Sequence, residues 1–165
     1  MKATKLILLF AAICIAAAAC KKDELQIDKD KKTISGYLKE HSIDAQEKDK
    51  VYYVETLVGS GQQCKLGDTV AIKYKYSSIK NPEQVLVDQT NIAETVILPL
   101  STNSGSSVLM GLQIGLPTMK EGGKTTFYIP ASYAFGRDTL KNGETYANLI
   151  FDVELCEIIT RGKRH

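Results

Sequence analysis

The sequence contains few candidates for a catalytic nucleophile with a base beside it. The two histidines are His41 and the C-terminal His165, and neither lies near a serine or cysteine motif. A hydrolase of the triad type needs a nucleophile and a base within hydrogen-bond reach, so the sequence gives no support for one. His41 also has no second metal ligand near it in the sequence, and we interpret it as a surface residue.

The glycine pair in Gly59-Ser60-Gly61 is a second candidate for chemistry, because glycine-rich loops can hold phosphate groups. The segment lacks a third glycine, a Lys-Ser/Thr pair and a following helix. It is therefore predicted to be a turn that ends the strand-forming run 51–56.

The cysteines leave two interpretations open. Cys14 and Cys20 belong to the N-terminal segment, so Cys64 and Cys156 remain for the rest of the chain. In an oxidising compartment these two could form a disulfide, or they could stay as separate buried or half-buried thiols. The sequence alone does not fix the distance between them.

Several short fragments, met in a fixed order, carry the strongest functional signal. They are Gly67-Asp68-Thr69-Val70-Ala71-Ile72-Lys73-Tyr74, Val87-Asp88-Gln89-Thr90, Val108-Leu109-Met110-Gly111-Leu112, 115–124, Ile129-Pro130-Ala131-Ser132-Tyr133-Ala134-Phe135-Gly136 and 149–155. Together they resemble the FKBP family of peptidyl-prolyl cis-trans isomerases. The resemblance extends over about residues 51–158.

The resemblance implies catalysis of rotation about X-Pro peptide bonds in proline-containing polypeptides. This rotation has a barrier of about 18–20 kcal/mol because the planar amide loses resonance, and without a catalyst it takes tens to hundreds of seconds. A dry pocket that seats the proline ring and favours the twisted amide lowers the barrier by differential binding. No nucleophile, metal or cofactor is implied.

The resemblance also implies which residues form the site. The catalytic residues would be Tyr74, Asp88, Leu109, Phe135 and Phe151, and the substrate-binding residues would be Val87, Val96, Leu98, Val108 and Leu112. The amide of Leu109 would hold a substrate carbonyl, because an N–H near a helix start lacks an intrahelical acceptor. Capping of this donor by Ser106 or Ser107 is the alternative. Asp88 would polarise the site or orient Tyr74. Without the resemblance, ordinary core packing would explain the apolar members of this set.

Some positions depart from the family pattern. Leu112 stands where a Trp is usual, Val87 where a Phe is usual, and Phe135 replaces a Tyr whose hydroxyl would donate to a bound carbonyl. The segment 141–146 lacks an Ile-Pro-Pro-like loop over the site. We therefore expect a shallow pocket and weak isomerase activity. The alternative is a catalytically inactive FKBP-like binding module on the cell envelope, which would hold a partner segment or a glycan.

The elements that must position these residues are those of an α+β fold. Alternating apolar residues predict a strand with one buried face at Val70, Ile72, Tyr74 and Tyr76. Pro99 lies in a second alternating run, which predicts an edge strand or a bulge there. Apolar residues at helical spacing follow from Val108 until Pro117. We predict an FKBP-like antiparallel β-sheet wrapped around one short α-helix.

The N-terminal segment resembles a lipoprotein signal. Lys2 and Lys5 precede an uncharged apolar run, 6–19, that is too short to span a bilayer. Small residues precede Cys20, which would be acylated and anchor the chain in a membrane. An ordinary secretory signal is the alternative. The residue after Cys20 is not Asp, which favours the outer membrane of a Gram-negative bacterium, with a periplasmic or a surface-exposed domain. The charged residues 21–24 resemble a surface-export signal or are simply solvated.

We predict four segments: a signal peptide at 1–19, a lipidated tether with a short helix at 20–50, an FKBP-like domain at 51–159 and a tail at 160–165. The charged residues 21–32 predict a solvated linker. Thr33 is predicted to cap a helix that packs on the domain, with a dimer contact as the alternative, through Ile34, Tyr37 and Leu38.

The net charge gives no support for a nucleic-acid partner. Removal of residues 1–19 would remove two lysines and no acids, so 21 basic residues would become 19 against 19 acidic ones. A mature chain without net charge lacks the basic surface that nucleic-acid binding needs.

Overall fold

The structure is a computed structural model, and it describes residues 25–89, 95–101 and 108–159, with Asp88 described by its backbone alone. The predicted signal peptide, the lipidation residue Cys20 and the tail at 160–165 lie outside these residues. No helix in the described part combines the length and the apolar character needed to cross a bilayer.

One antiparallel sheet of seven strands forms the body of the described part of the chain. The strands are β1 (Gln46–Lys48), β2 (Val51–Leu57), β3 (Thr69–Ser78), β4 (Asn81–Asp88), β5 (Val96–Pro99), β6 (Lys124–Ile129) and β7 (Leu149–Ile159). Their order is β1-β2-β6-β7-β3-β4, and β5 pairs with β3 at residues 69–72, whereas β4 pairs with residues 75–78 of the same strand. The prediction of an antiparallel α+β fold is confirmed.

Both edges of the sheet are short or irregular. Strand β1 has three residues, all exposed, and it pairs with β2. Strand β4 contains Pro82 and loses regular register twice along β3. Strand β5, with Pro99, pairs with β3 alone among the described strands, so the predicted edge strand is confirmed. The segment Asn81-Pro82-Glu83 has a composition typical of a turn, but the turn lies at residues 79–80 and β4 begins at Asn81.

A short helix packs against the inner face of the sheet. Two helices are described: α1, helical over residues 25–40, and α2 (Met110–Gly115), which continues into a 3₁₀ turn at Leu116–Thr118. Gly111 and Gly115 lie four residues apart on the face of α2 that meets β6. A Cβ added at Gly115 would lie 2.6 Å from Cε1 of Phe127, so these glycines let the helix approach the sheet closely.

Alternation along the strands separates two apolar clusters, because successive side chains of a strand point to opposite faces. The inner cluster joins α2 to one face of the sheet, and its fully buried members include Ile72, Leu116, Phe127, Ile129, Leu149 and Leu155. The outer cluster lies on the opposite face and consists of Ile34, Leu38, Tyr52, Ile79 and Tyr128. Helix α1 supplies the first two residues of the outer cluster and so covers part of the outer face.

The linker predicted at residues 21–32 is wrong for residues 25–32, which are helical. Thr33 therefore lies inside α1, where its hydroxyl donates to the carbonyl of Lys29 at 3.0 Å, and its predicted capping role is wrong. The predicted packing of Ile34 and Leu38 on the domain is confirmed, since both are buried against the sheet. Ile27 and Asp30 extend the same buried face toward the N-terminus.

The burial of Asp30 explains why the charged residues 25–32 were not predicted to be helical. Its carboxylate is 2% exposed and accepts a hydrogen bond from Nε2 of Gln26 at 2.8 Å. The same carboxylate accepts the backbone N–H and the hydroxyl of Ser132, both at 3.3 Å. An acid that the pattern places in solvent thus links α1 to the 3₁₀ turn Ala131–Tyr133.

The two described cysteines are separate thiols. Cys64 is buried in the inner cluster and Cys156 is half-buried on β7. Burial, and to a lesser degree the charge of Asp68, raises the pKa of Cys64 from 9.0 to about 11. The sequence left open a disulfide or two separate thiols, and the structure has two separate thiols.

Candidate functional site

A pocket of about 230 Å³ lies between the sheet and the start of α2. The strands contribute Tyr74, Tyr76, Val87, Val96, Leu98 and Phe151 to its lining. The helix region contributes Val108, Leu109 and Leu112, and a loop contributes Phe135. Every described side chain of the lining is aliphatic or aromatic. Pockets for drug-sized ligands have volumes of roughly 300–1,000 Å³, so this one suits a smaller apolar group.

The sheet register brings the aromatic residues together. Tyr74 and Tyr76 lie two residues apart on β3 and so share a face. Tyr76 is opposite Phe151 on β7 and opposite Val87 on β4, which places it between them. The ring of Tyr76 stacks on that of Phe151 with centroids 4.7 Å apart, and the ring of Tyr74 lies 5.7 Å from Phe151.

The pocket has a buried floor and half-buried walls. Phe151, Leu112 and Val108 are 2%, 4% and 5% exposed and form the floor. The remaining lining residues are half-buried, and their side chains rise around it. An apolar group that enters is therefore removed from water on several sides, which is the source of its binding free energy.

The loop that carries Phe135 is fixed by hydrogen bonds on both sides. The N–H of Gly136 donates to the carbonyl of Ala131 at 2.8 Å, and the carbonyl of Gly136 accepts from Tyr146 at 2.9 Å. The N–H of Ala131 donates to Oδ1 of Asn148 at 2.8 Å. These bonds hold the Phe135 ring 5.7 Å from that of Tyr76.

Leu109 precedes α2 with an extended backbone, at φ −52° and ψ 136°. Its carbonyl accepts the N–H groups of Leu112 and Gln113 at 3.0 and 3.1 Å. The side-chain amide of Gln113 donates to the carbonyl of Val108 at 2.8 Å, which further fixes the helix start. Among the described residues, none accepts a hydrogen bond from the Leu109 N–H, which lies at the helix start.

The described lining of the pocket contains no charged side chain. Burial, and secondarily the neighbouring Tyr74, raises the pKa of the Tyr76 phenol, so its hydroxyl stays protonated at neutral pH. In the part of the chain that is described, no three His, Cys, Asp or Glu side chains come together as a metal site would require. The arrangement favours noncovalent binding of an apolar ring with one or two hydrogen bonds.

The structure brings nine of the ten predicted site residues to this single pocket. The tenth, Asp88, ends β4 opposite Lys75, and its side chain lies outside the described part. Sequence reasoning missed Tyr76 as a pocket residue. Its alternation with Tyr74 was the available signal, but the pattern indicated only a buried strand face.

The segment 141–146 does not line the pocket. Its Glu144 carboxylate instead accepts hydrogen bonds through Oε1 from Ser78 at 2.9 Å, Asn81 at 2.6 Å and Asn142 at 2.8 Å. The segment is thus tied to the turn between β3 and β4. The pocket consequently lacks an overhanging wall from this side.

An antiparallel sheet that packs on a short helix, with an aromatic pocket at the helix start, places the chain in the class of small α+β domains. Within that class, the chain belongs to the FKBP-type peptidyl-prolyl cis-trans isomerase family, whose model matches residues 60–156. The match includes most of the predicted domain and nearly all of the pocket. The predicted family is therefore confirmed.

Individual relatives agree with this assignment. The FKBP-type peptidyl-prolyl cis-trans isomerase FkpA of Escherichia coli is 30% identical over 144 residues, which cover 87% of this chain and 50% of FkpA. The FK506-binding protein 4 of Gibberella zeae is 34% identical over 102 residues, which cover 61% of this chain and 19% of that protein. The chain thus spans half or less of the length of these curated relatives.

The fold is shared with solved structures. A peptidyl-prolyl cis-trans isomerase from Pseudomonas syringae pv. tomato superposes with a TM-score of 0.64. The two are 18% identical, and the superposition covers 83% of this chain and 96% of the other. At this level of identity the likeness concerns the fold.

Proposed function

We propose that this protein is a peptidyl-prolyl cis-trans isomerase that acts on proline-containing polypeptides. The observation that carries the proposal is the apolar pocket between α2 and the sheet, with Phe151 and Leu112 on its floor. Its volume and lining suit a proline ring. Family membership supports the same activity.

The pocket would act by differential binding and not by covalent chemistry. A planar amide carries a larger dipole than a twisted one, so an apolar surface that excludes water favours the twisted form. The N–H of Leu109 would hold a substrate carbonyl while the ring rests on Phe151. Three substituted positions, Leu112, Val87 and Phe135, leave less aromatic area and one hydroxyl fewer than the family pattern, which supports a weak activity.

The test is the isomerisation of short X-Pro peptides by the protein and by two matched variants. Phe151→Leu alters the pocket floor, whereas Phe127→Leu alters the fully buried residue directly opposite Phe151 on β6, outside the pocket. We expect acceleration by the wild type, a loss of about tenfold or more in kcat/KM for Phe151→Leu and little change for Phe127→Leu, once both are corrected for the folded fraction. Equal losses in the two variants would contradict the assignment of the pocket.

A binding module without catalysis is the second candidate, and the three substituted pocket positions favour it. In that case no X-Pro peptide is isomerised faster than in buffer. Titration calorimetry with the same peptides would still show binding that Phe151→Leu weakens. This outcome would contradict the proposed isomerase activity, but it would support the pocket as the peptide-binding site.

We also propose that the protein is anchored by a lipid on Cys20 in the outer membrane of a Gram-negative bacterium. There it would help exported or surface polypeptides to fold, on the periplasmic or the surface-exposed side. The support is the sequence of residues 1–24, with its short apolar run and small residues before Cys20. Incorporation of labelled palmitate by the wild type and its loss in Cys20→Ser test the lipid, and fractionation of the two membranes tests the location.

A further inference from the structure

Tyr76 occupies the centre of the pocket wall. It is the cross-strand neighbour of both Val87 and Phe151. Its ring lies 4.7 Å from that of Phe151 and 5.7 Å from that of Phe135. Among the aromatic contacts of the described residues, no other ring contacts both. A group that rests on Phe151 therefore lies beside Tyr76.

A bound prolyl peptide brings backbone carbonyls as well as an apolar ring. A carbonyl that leaves water without a hydrogen-bond donor weakens binding considerably. The described lining offers few donors, because its side chains are apolar except for the hydroxyl groups of Tyr74 and Tyr76. Phe135, on the loop next to Tyr76, has no hydroxyl to contribute.

The Tyr76 hydroxyl is available for this purpose. Unlike the hydroxyl of Tyr53, which donates to Gln46 at 2.8 Å, it makes no hydrogen bond to any described residue. It is also not among the buried side-chain atoms without a partner in the described part, and Tyr76 is half-buried and lines the pocket. Because burial raises the pKa of Tyr76, the hydroxyl is a donor throughout the neutral range.

We propose that Tyr76 is a substrate-binding residue whose hydroxyl donates a hydrogen bond to a backbone carbonyl of the bound prolyl peptide, while its ring forms the wall beside Phe151. The proposal rests on the proposed function for the kind of ligand, a prolyl peptide. It adds a residue and a contact that the ten predicted site residues do not include.

The experiment measures both binding and turnover of one X-Pro peptide by the purified protein. Tyr76→Phe removes the hydroxyl and keeps the ring stacked on Phe151. Tyr53→Phe is the matched control, since Tyr53 also packs on the inner cluster but does not line the pocket. Titration calorimetry gives the dissociation constant without any need for turnover, so a failure of catalysis and a failure of this contact are distinguishable.

We expect Tyr76→Phe to bind the peptide about three- to tenfold more weakly, as for the loss of one net hydrogen bond. Tyr53→Phe should bind it as the wild type does. The double variant Tyr76→Phe/Phe135→Tyr returns a hydroxyl to the neighbouring ring of the same pocket, and we expect it to recover at least part of the lost affinity.

Four results would overturn the proposal. The first is a wild type that does not bind prolyl peptides. The second is an unchanged dissociation constant in Tyr76→Phe. The third is an equal loss of affinity in Tyr53→Phe. The fourth is a loss of affinity in Tyr76→Phe that the double variant does not recover at all, which would assign the hydroxyl to the structure of the wall. If binding depends on Tyr76 but no isomerisation is detected, the Tyr76 hydrogen bond is supported and only the proposed enzyme activity is contradicted.

Discussion

Substitution of Ile34 by alanine tests whether α1 is an integral part of the folded domain. Ile34 is fully buried, and it packs in the outer cluster with Tyr52 and Tyr128 of the sheet and with Ile79 in the turn between β3 and β4. If α1 stabilises the sheet, the truncated side chain leaves a cavity that lowers the stability of the whole domain. If α1 is only a flanking segment, its loss of packing leaves the sheet unaffected.

The size of the effect follows from the burial. Truncation of a fully buried isoleucine to alanine costs about 2–5 kcal/mol, as lost transfer free energy and a cavity. The site lies between a helix and a sheet and can partly collapse, so we expect about 3 kcal/mol. For a chain of this length 1 kcal/mol corresponds to roughly 2–4 °C in Tm, so Tm should fall by about 6–12 °C.

The assay is thermal unfolding followed by circular dichroism at a wavelength that reports on the sheet. Leu25→Ala is the control, because Leu25 lies on the same helix but is 70% exposed, and its truncation should change stability by no more than about 0.5 kcal/mol. The reasoning is refuted if the sheet of Ile34→Ala melts within about 2 °C of the control. It is also refuted if helix and sheet signals melt separately in the wild type.

Two further predictions concern packing and protonation. Gly115→Ala should lower the free energy of unfolding by about 1–3 kcal/mol, because the added Cβ meets the Phe127 ring. Gly36→Ala should raise the free energy of unfolding by about 0.5–1 kcal/mol, because Gly36 lies in α1 and an added Cβ there meets nothing within 4 Å. Urea unfolding measures both changes, and a loss of stability in Gly36→Ala would contradict the prediction. Because the pKa of Cys64 is raised from 9.0 to about 11 on folding, the unfolded thiol loses its proton first, so the stability is complete below pH 9 and falls as pH rises toward 11. Urea unfolding in reducing buffer at a series of pH values measures this effect. The free energy of unfolding of the wild type should fall by up to about 2.7 kcal/mol more than that of Cys64→Ala as the pH rises. The same dependence of stability on pH in both proteins would contradict the prediction.

The sheet and the pocket were predictable because their signals are local and repeated. Alternation along β3 fixes which residues share a face, and the fragments around Val108 and Phe151 mark the family. The pocket then follows from topology, since residues from strands far apart in sequence meet at one face. Tyr76 was missed because alternation indicates the buried face and not which of its residues borders a cavity.

Helix α1 was predicted only in part, for a physical reason. Its buried face includes Asp30, whose burial depends on Ser132, a residue 102 positions later in the chain. A charged residue without visible partners is correctly expected in solvent. The distant hydrogen bonds that reverse this expectation exist only in the folded chain.

The edges of the sheet bear on how such a protein behaves among unfolded polypeptides. A long regular edge strand presents unpaired N–H and C=O groups that template the addition of another strand, which leads to aggregation. Here β1 is three residues long and fully exposed, while β4 and β5 contain Pro82 and Pro99. A proline cannot donate to a new ladder and is tolerated at an edge. The edges of the described sheet thus offer an extended polypeptide little regular ladder to join, which disfavours growth of the sheet by strand addition.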